Sequence, residues 1–363
     1  MSDILIVGGG IVGMLVAREL AQAGARVVLI EQGETGRESS WAGGGILSPL
    51  YPWRYPPAVT ALAAWSQAVY PALCADLLAE TGIDPELTPG GLLILDTEER
   101  DPALAWARSG AVAMERLATA EIRAQAPGLG EPPSEALWLP QIAQVRNPRL
   151  VKSVRRSLEG RIEIREREAV LELTVDADAR RIVGVRTAQG ERPADRVVVC
   201  AGAWTARLLD GLGLGLEIRP VRGQMILFLT RPGLIRRMVL ARDRYVIPRR
   251  DGQVLVGSTL EHSGFDKAAT AEAREELSRC AVALFPGLRH AEVGAHWSGL
   301  RPGSPNGIPY IGPHPTIAGL FVNAGHFRNG LVCAPASARL AADLILGHPP
   351  ILDPAPYALD ADR

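Results

Sequence analysis

"ILIVGGGIVGMLVARELAQAGARVVLIEQG", residues 4–33, decides the fold of this chain. A short apolar run comes first, followed by Gly8, Gly10 and Gly13 and then by a helical pattern. A second apolar run follows and ends at Glu31. A strand, a GxGxxG turn, a helix and a second strand closed by an acid predict a dinucleotide-binding βαβ unit.

The three glycines have separate roles in such a unit. The first permits a tight turn, the second lets a pyrophosphate approach the backbone, and the third lets the helix pack closely on the strand. The helix N-terminus offers N–H groups and the positive end of its dipole to the phosphates. Glu31 can bind ribose hydroxyls. A carboxylate there disfavours the 2′-phosphate of NADP, so NAD and FAD remain.

A second glycine cluster separates these two cofactors. Residues 42–45 read AGGG and follow the βαβ unit closely. A simple nicotinamide domain does not need a second backbone-accessible cluster there. A flavin ring needs backbone against its edge and face, and small residues provide that access. The cluster therefore favours FAD over NAD, although an ordinary flexible loop is the alternative.

Composition excludes several function classes. The chain has 363 residues, 47% of them hydrophobic and 22% charged, and a formal net charge of −1, which is typical of a soluble globular protein without nucleic-acid partners. The apolar run 4–17 is too short to span a membrane, and Asp3 precedes it instead of a basic leader. The four cysteines form no CxxC pair, and no HExxH motif occurs. We therefore expect a cytoplasmic protein without a membrane or metal partner.

Periodicity predicts the remaining elements. The main predictions are a helix over 58–82 interrupted at Pro71, two helices within 98–130, strands from residue 160 onward ending in a buried strand at 196–201, a type I′ hairpin turn at Asp251-Gly252, and a last helix over about 331–346. We infer an α/β fold with a Rossmann-like FAD-binding domain and an inserted antiparallel-sheet substrate domain. The predicted ranges are 1–85, 146–216 and 302–363 for the first domain, and 86–145 and 217–301 for the second.

Six stretches carry a family resemblance. Beside the opening segment these are "ESSWAGGGIL", "VVVCAGAW", "YVIPRRDGQVLVGST", "GLRPGSPNGIPYIG" and "VNAGHFRNGLVCAPASARLAADLI". With them the chain resembles the D-amino-acid oxidase superfamily of FAD-dependent amine oxidases, and within it the bacterial glycine oxidases, over nearly its whole length. The opening segment is generic to flavoproteins, whereas the arginine-bearing stretches are much more selective. The sequence departs from the family in detail at Trp41 and Leu260, which puts the shape of the entrance in doubt.

The resemblance implies non-covalent FAD and a set of residues that contact it. Besides the glycine motif, these are Ile11, Val12, Glu31, Gln32, Ser39, Ser40, Gly44, Gly45, Ile46, Val170, Ala201, Gly202, His326, Phe327, Arg328, Asn329, Gly330, Leu331 and Val332. We expect the last helix to begin at Gly330 and Leu331 and to direct its dipole at the N1/C2=O edge of the flavin. A covalent link to Cys333 is disfavoured because this residue falls inside the predicted helix.

Three residues are candidates for binding a substrate carboxylate. Arg301 lies between two strand-like pieces, and its guanidinium can bind a carboxylate through two parallel hydrogen bonds. Tyr245 would add a hydroxyl, or is a packed core tyrosine. Arg328 would assist, or has a structural role at the flavin edge. The sequence shows no recognisable set of acid–base residues, which fits hydride transfer to a cofactor. For His326 we favour an orienting role over that of a general base.

The resemblance implies oxidation of glycine, sarcosine and some D-amino acids. Molecular oxygen would be the second substrate, and the products an imine, hydrolysed to glyoxylate and ammonia for glycine, and hydrogen peroxide. A role in forming the thiazole ring of thiamine and a homotetrameric state are implied only by the resemblance. The alternatives are a dehydrogenase or oxidase for larger D-amino acids, and an FAD-bearing binding or tRNA-modification partner domain.

Overall fold

The predicted βαβ unit lies at the centre of a six-stranded sheet. The computed structural model describes residues 4–363, so Asp3, on which part of the leader argument rests, lies outside the described residues. The strands of this sheet, in spatial order, are β18 (Tyr310–Pro313), β19 (Leu320–Ala324), β12 (Arg196–Val199), β1 (Ile4–Val7), β2 (Val27–Ile30) and β8 (Glu163–Arg165). All neighbours pair in parallel except β18 and β19. Strand β1 is buried throughout, as its continuous apolar run predicts.

A second, eight-stranded sheet is almost wholly antiparallel. In spatial order its strands are β17 (Glu292–Gly303), β13 (Arg219–Leu229), β16 (Val254–Gly257), β15 (Arg244–Pro248), β14 (Met238–Ala241), β4 (Leu92–Ile94), β6 (Glu135–Leu139) and β5 (Glu115–Ala118). Only β14 and β4 pair in parallel. Smaller sheets join β9 (Val170–Asp176), β10 (Arg181–Thr187) and β11 (Gly190–Pro193), and β3 (Thr88–Pro89) with β7 (Ala143–Gln144). The predicted fold class is confirmed.

The helices surround these sheets. They are α1 (Ile11–Gln22), α2 (Ser39–Ala42), α3 (Pro57–Thr81), α4 (Arg100–Ser109), α5 (Thr119–Gln125), α6 (Asn147–Ser157), α7 (Thr205–Leu208), α8 (Ala271–Leu284) and α9 (Ala334–Leu346). Helices α1, α3, α6 and α9 pack together beside the six-stranded sheet in one apolar core. The strands of this sheet fall within the ranges expected for the FAD-binding domain. The domain boundaries themselves stay a prediction, and β17 runs across the expected limit at residue 301.

Helix α3 differs from the prediction because Pro71 does not interrupt it. A proline inside a helix costs about 3 kcal/mol. Tyr70 and Cys74, on either side of it, are buried in the core, and their packing holds the helix together. By length and composition alone α3 could cross a membrane, and it is the one helix of residues 4–363 that could. A third of its most apolar window is buried inside the protein, and the helix packs against α6 and α9.

Two further predictions differ from the structure in detail. The segment 98–130 holds the two expected helices, but β5 lies between them and pairs with β6. The Asp251-Gly252 hairpin exists, but its turn is not type I′, which requires two central residues with positive φ. Gly252 has φ +91°, whereas Asp251 is not left-handed. The Arg249 backbone instead pairs with both Gly252 and Gln253 across a longer loop.

The last helix begins at Ala334, three residues later than predicted. Pro335 explains this shift, because proline has no N–H and is tolerated only in the first turn of a helix. An earlier start would need Pro335 to donate to the carbonyl of Leu331. That carbonyl accepts instead from the hydroxyl of Tyr70 at 2.6 Å and from the backbone of Ala334 at 3.2 Å. The segment before α9 contains a 3₁₀ turn, Phe327–Asn329.

Candidate active site

One cavity lies at the carboxyl ends of the parallel strands and reaches the eight-stranded sheet. Val7, Glu31, Cys200 and Asn323, at or just beyond the ends of β1, β2, β12 and β19, all line it. Ligands of open α/β sheets bind at this edge, because the loops and helix N-termini that follow the strands meet there.

The glycine motif forms one wall of the cavity in the predicted way. Gly8 has φ +110°, and a β-carbon there would collide with the carbonyl oxygen of Cys200. A β-carbon on Gly13 would collide with the Gly8 carbonyl, so this glycine allows α1 to approach β1. The backbone of Ile11, at the start of α1, donates to Ser40 Oγ at 2.9 Å. This wall can accept a pyrophosphate against bare backbone.

Glu31 lies beside this wall and lines the cavity. Its two carboxylate oxygens accept hydrogen bonds from the backbone of Gly9 at 2.7 Å and of Gly33 at 2.9 Å. Burial raises the pKa of Glu31 above its ordinary value, and these two hydrogen bonds oppose the rise. The oriented carboxylate keeps lone pairs for ribose hydroxyls.

The second glycine cluster also lines the cavity. Gly45 has φ +82°, and a β-carbon there would collide with the Val145 carbonyl. A β-carbon on Gly44 would lie 2.9 Å from Ile247 Cδ1 and 3.0 Å from the Tyr245 ring, so the Gly44 backbone rests directly on β15. Only glycine allows this backbone to lie between the cavity and the second sheet.

Two buried amide side chains have an oxygen without a hydrogen-bond partner among residues 4–363. Asn147 donates through Nδ2 to the Ser40 carbonyl at 3.0 Å, and its Oδ1 is unpaired. Asn323 donates to the Ser337 carbonyl at 2.9 Å, and its Oδ1 is also unpaired. Both residues are 1% exposed and line the cavity. A buried acceptor without a donor is costly, so these atoms favour a ligand with N–H or O–H groups, as FAD has.

The predicted cofactor residues gather at this cavity with two exceptions. Gly13 lies beneath the glycine turn, and Asn329 is buried, with its Nδ2 unpaired among the described residues. Every other residue named for FAD lines the cavity. Sequence reasoning missed Asn147 and Asn323. The Asn-Pro pair that opens α6 was a signal for Asn147, since such pairs mark helix starts.

His326 has no capacity for acid–base chemistry near neutral pH. Its Nε2 lies 2.8 Å from Ser337 Oγ, and its side chain is 3% exposed. Burial lowers the pKa of His326 to about 3, so the ring is neutral.

Arg301 lies inside strand β17, so its predicted place between two strands is wrong. Its Nη2 donates to Ser258 Oγ at 2.6 Å and its Nη1 to the Thr259 carbonyl at 3.2 Å. The guanidinium occupies the space where a β-carbon of Gly223 would lie, which only glycine leaves free. Arg301 lines the cavity and has no salt bridge within the described chain.

The electrostatics of Arg301 suit an anionic ligand. Burial lowers the pKa of its guanidinium, the Tyr245 hydroxyl opposes this, and the charge of Arg328 adds to the lowering. A buried cation without a carboxylate partner is unfavourable until an anion binds.

Tyr245 and Arg328 share this part of the cavity. Tyr245 is 7% exposed, and its hydroxyl lies 3.1 Å from Met225 Sδ, a weak acceptor. The half-buried Arg328 lines the cavity without an ion pair or hydrogen bond to other described residues. The structure therefore brings together the three residues predicted to bind a carboxylate.

Comparison with known proteins agrees with this geometry. A family model described as FAD dependent oxidoreductase (DAO) matches residues 3–344. The chain belongs to the FAD-dependent oxidoreductase family. As a member of it the protein is an enzyme with FAD as its cofactor, and the predicted relationship to the D-amino-acid oxidase superfamily is confirmed.

Individual relatives of this FAD-dependent oxidoreductase are glycine oxidases. The glycine oxidase of Pseudomonas aeruginosa is 55% identical over 98% of both chains. The crystal structure of glycine oxidase from Geobacillus kaustophilus has a TM-score of 0.93 at 31% identity and covers 100% of both chains. The bifunctional protein ThiO/ThiG of Synechocystis is 32% identical over 95% of this chain but only 52% of that protein.

Proposed function

We propose that this oxidoreductase converts glycine and small amines such as sarcosine, with some D-amino acids, into imines. With glycine, oxygen and water, the products are glyoxylate, ammonia and hydrogen peroxide. The observation that carries the proposal is the guanidinium of Arg301, which lies in the cavity that suits FAD and has no carboxylate partner among residues 4–363. It is the group that an amino-acid carboxylate requires. The 55% identity to a glycine oxidase supports the choice of substrate.

The residues that line the cavity divide into two groups. The glycine turn, Ile11 and Glu31 suit the adenosine and diphosphate part of FAD, because they offer bare backbone and an oriented carboxylate. Gly44, Gly45 and the segment from His326 to Val332 suit the flavin ring. When bound, FAD accepts a hydride equivalent from the substrate carbon and passes the electrons to oxygen.

The protein orients the amino acid for this transfer. Arg301 would bind the carboxylate through both terminal nitrogens, with Tyr245 as a further donor and Arg328 as a second cation. Fixing the carboxylate directs the α-carbon, and orientation of two reactants contributes several kcal/mol to a rate. If the amine binds in its neutral form, no protein base is required. The neutral His326 agrees with this arrangement.

Peroxide release tests the proposal. Purified protein with bound FAD is assayed with glycine, sarcosine, D-alanine and D-proline under oxygen. We expect turnover with glycine and sarcosine. Strong activity on a bulky D-amino acid with none on glycine and sarcosine would instead identify an oxidase of larger substrates. Peroxide-free turnover that requires an added quinone would indicate a dehydrogenase.

We also propose a role in forming the thiazole ring of thiamine, as the resemblance implies. A relative named bifunctional protein ThiO/ThiG supports this pathway, with the chain matching about half of that protein. Growth of a thiamine-requiring strain on complementation with this chain, and no growth with an Arg301→Met variant, is the expected result. The homotetramer, the cytoplasmic location and the non-covalent linkage of FAD stay predictions.

A further inference from the structure

A half-buried arginine, Arg249, lies behind the residues that line the cavity. Arg249 does not line the cavity, but its guanidinium donates to one oxygen of the cavity wall, on Gly44, and to two oxygens of residues 144 and 145 behind it. Nη2 donates to the Gly44 carbonyl at 2.8 Å, and Nη1 donates to the Val145 carbonyl at 3.0 Å and to Gln144 Oε1 at 2.6 Å. One side chain thus joins the glycine cluster, the segment around β7 and the β15–β16 hairpin.

The position of Arg249 follows from strand periodicity. Tyr245, Ile247 and Arg249 alternate along β15 and the residue after it, so they share one face. The Tyr245 ring and Ile247 Cδ1 face the α-carbon of Gly44, and Arg249 binds its carbonyl. The same face of one strand therefore carries a candidate substrate ligand and the support of the flavin wall.

The segments that Arg249 joins are themselves paired. The backbone of Val145 donates to the Gly45 carbonyl at 2.9 Å, and Ile46 forms a β-bridge with Gln144. These contacts join residues 45–46 directly to residues 144–145, and the Arg249 guanidinium joins the same two segments through its hydrogen bonds. Without Arg249, the half-buried Gly44 carbonyl would lose this hydrogen bond.

The charge of Arg249 is also uncompensated at close range. Its hydrogen-bond partners are neutral oxygens, and Arg249 forms no salt bridge within residues 4–363. Burial lowers its pKa to about 10, with the charge of Arg146 adding to the shift, and Glu86, Asp251 and Tyr245 opposing it. The group therefore stays protonated near neutral pH, and its field acts on the cavity.

We propose that Arg249 is a positioning residue for bound FAD, which holds the backbone of residues 44–46 against the flavin and places a positive charge behind it. The positive charge favours the electron-rich reduced form of the cofactor. The proposal rests on the assignment of this cavity to FAD but not on the choice of amino-acid substrate.

Two variants separate the geometric and electrostatic parts. Arg249→Met removes the hydrogen bonds and the charge. Arg249→Lys keeps the charge but loses the planar set of guanidinium N–H donors. Arg250→Met is the matched control: Arg250 is the next residue of the hairpin, is exposed, and forms hydrogen bonds with Asp84, Thr88 and the Leu87 carbonyl, none of which lines the cavity. FAD release from diluted holoenzyme is followed by fluorescence, together with the midpoint potential of bound FAD and Tm.

In the Met variant we expect the Kd for FAD to rise roughly ten- to a hundredfold and the midpoint potential to become more negative. In the Lys variant we expect the Kd for FAD to rise as well, but the midpoint potential should stay closer to that of the parent than in the Met variant. The Arg250→Met control should have the Kd and the potential of the parent. A folded Met variant with parental Kd and potential would overturn the proposal, even with a lowered Tm, because that pattern indicates a structural role only. If the Met variant does not fold, a parental Kd in the Lys variant overturns it. Neither readout uses an amino acid, so such a failure leaves the proposed glycine oxidation standing.

Discussion

Arg301 donates from Nη2 to the hydroxyl of Ser258 at 2.6 Å, so the guanidinium is oriented by a group that does not neutralise it. The Thr259 carbonyl accepts from Nη1 at 3.2 Å and acts in the same way. The fork is thus fixed in the cavity with its positive charge available to an anion.

Replacement of Arg301 by methionine should abolish carboxylate binding while FAD remains bound. We expect the KM for glycine to rise roughly a hundredfold or more, since two charge-assisted hydrogen bonds are lost. Steady-state peroxide assays measure KM, and the visible spectrum reports bound FAD. Arg301→Lys keeps the charge but not the two parallel hydrogen bonds, so its KM for glycine should lie between those of the parent and the methionine variant. A parental KM in the methionine variant would contradict the assigned role.

Removal of the Ser258 hydroxyl should loosen the Arg301 fork. For Ser258→Ala we expect KM for glycine to rise about three- to tenfold, corresponding to one lost hydrogen bond to a charged group, with a smaller change in kcat. Ser258→Thr, which keeps a hydroxyl, should restore part of the affinity. A lower Tm with unchanged KM would mean that Ser258 only stabilises the strand.

FAD affinity should decrease as the pH falls through the raised pKa of Glu31. Ribose hydroxyls donate to the ionised carboxylate, so binding favours the deprotonated form and weakens when Glu31 is protonated. As the pH is lowered, the loss of affinity should set in above the ordinary pKa of glutamate, because burial raises the pKa of Glu31. Fluorescence titration of FAD between pH 4.5 and 7 is the measurement. In Glu31→Gln the affinity should be lower at pH 7 and nearly independent of pH in this window; an equal pH dependence in parent and variant would rule out Glu31.

Stability should fall below pH 6.5 because His326 is buried in its neutral form. The unfolded chain takes up a proton near pH 6.5, whereas the folded chain does so only near pH 3, so acid favours unfolding across this interval. The parent should lose up to about 1.4 kcal/mol of unfolding free energy per pH unit relative to His326→Gln. Urea unfolding at pH 7.5 and 5.5 tests this, with the exposed His262→Gln as control. Equal slopes in the parent and the His326 variant would contradict the expectation.

FAD should leave the protein on acid precipitation. Cys333 is 1% exposed, does not line the cavity, and burial raises the pKa of its thiol to about 12. A protonated thiol outside the site does not attack a flavin. Absorbance of the supernatant after precipitation measures the released FAD, and Cys333→Ser should bind the same amount. Yellow colour retained in the pellet of the parent but not of the variant would establish a covalent link.

Local patterns were sufficient for the nucleotide half of the site. The GxGxxG turn requires glycines because β-carbons on Gly8 and Gly13 would collide with the backbone, and this requirement is written at a fixed spacing. Glu31 lies directly after β2, as expected for an acid that follows the apolar run. Two helix predictions failed for different reasons: tertiary packing kept α3 continuous through Pro71, whereas the missing N–H of Pro335 moved the start of α9 to Ala334.

The amino-acid sequence by itself determined the order of strand, turn and helix, the cofactor class, and the identity of Arg301, Tyr245 and Arg328 as candidates. Only the tertiary structure decided that Arg301 is held by Ser258 without a carboxylate partner among residues 4–363, that Asn147 Oδ1 has no donor there, and that Arg249 binds the Gly44 carbonyl. The reason is physical. Periods of two and 3.6 residues report the burial of a side chain within its own element, whereas these contacts join distant segments, and their energies depend on which groups are left without a partner once the two sheets meet.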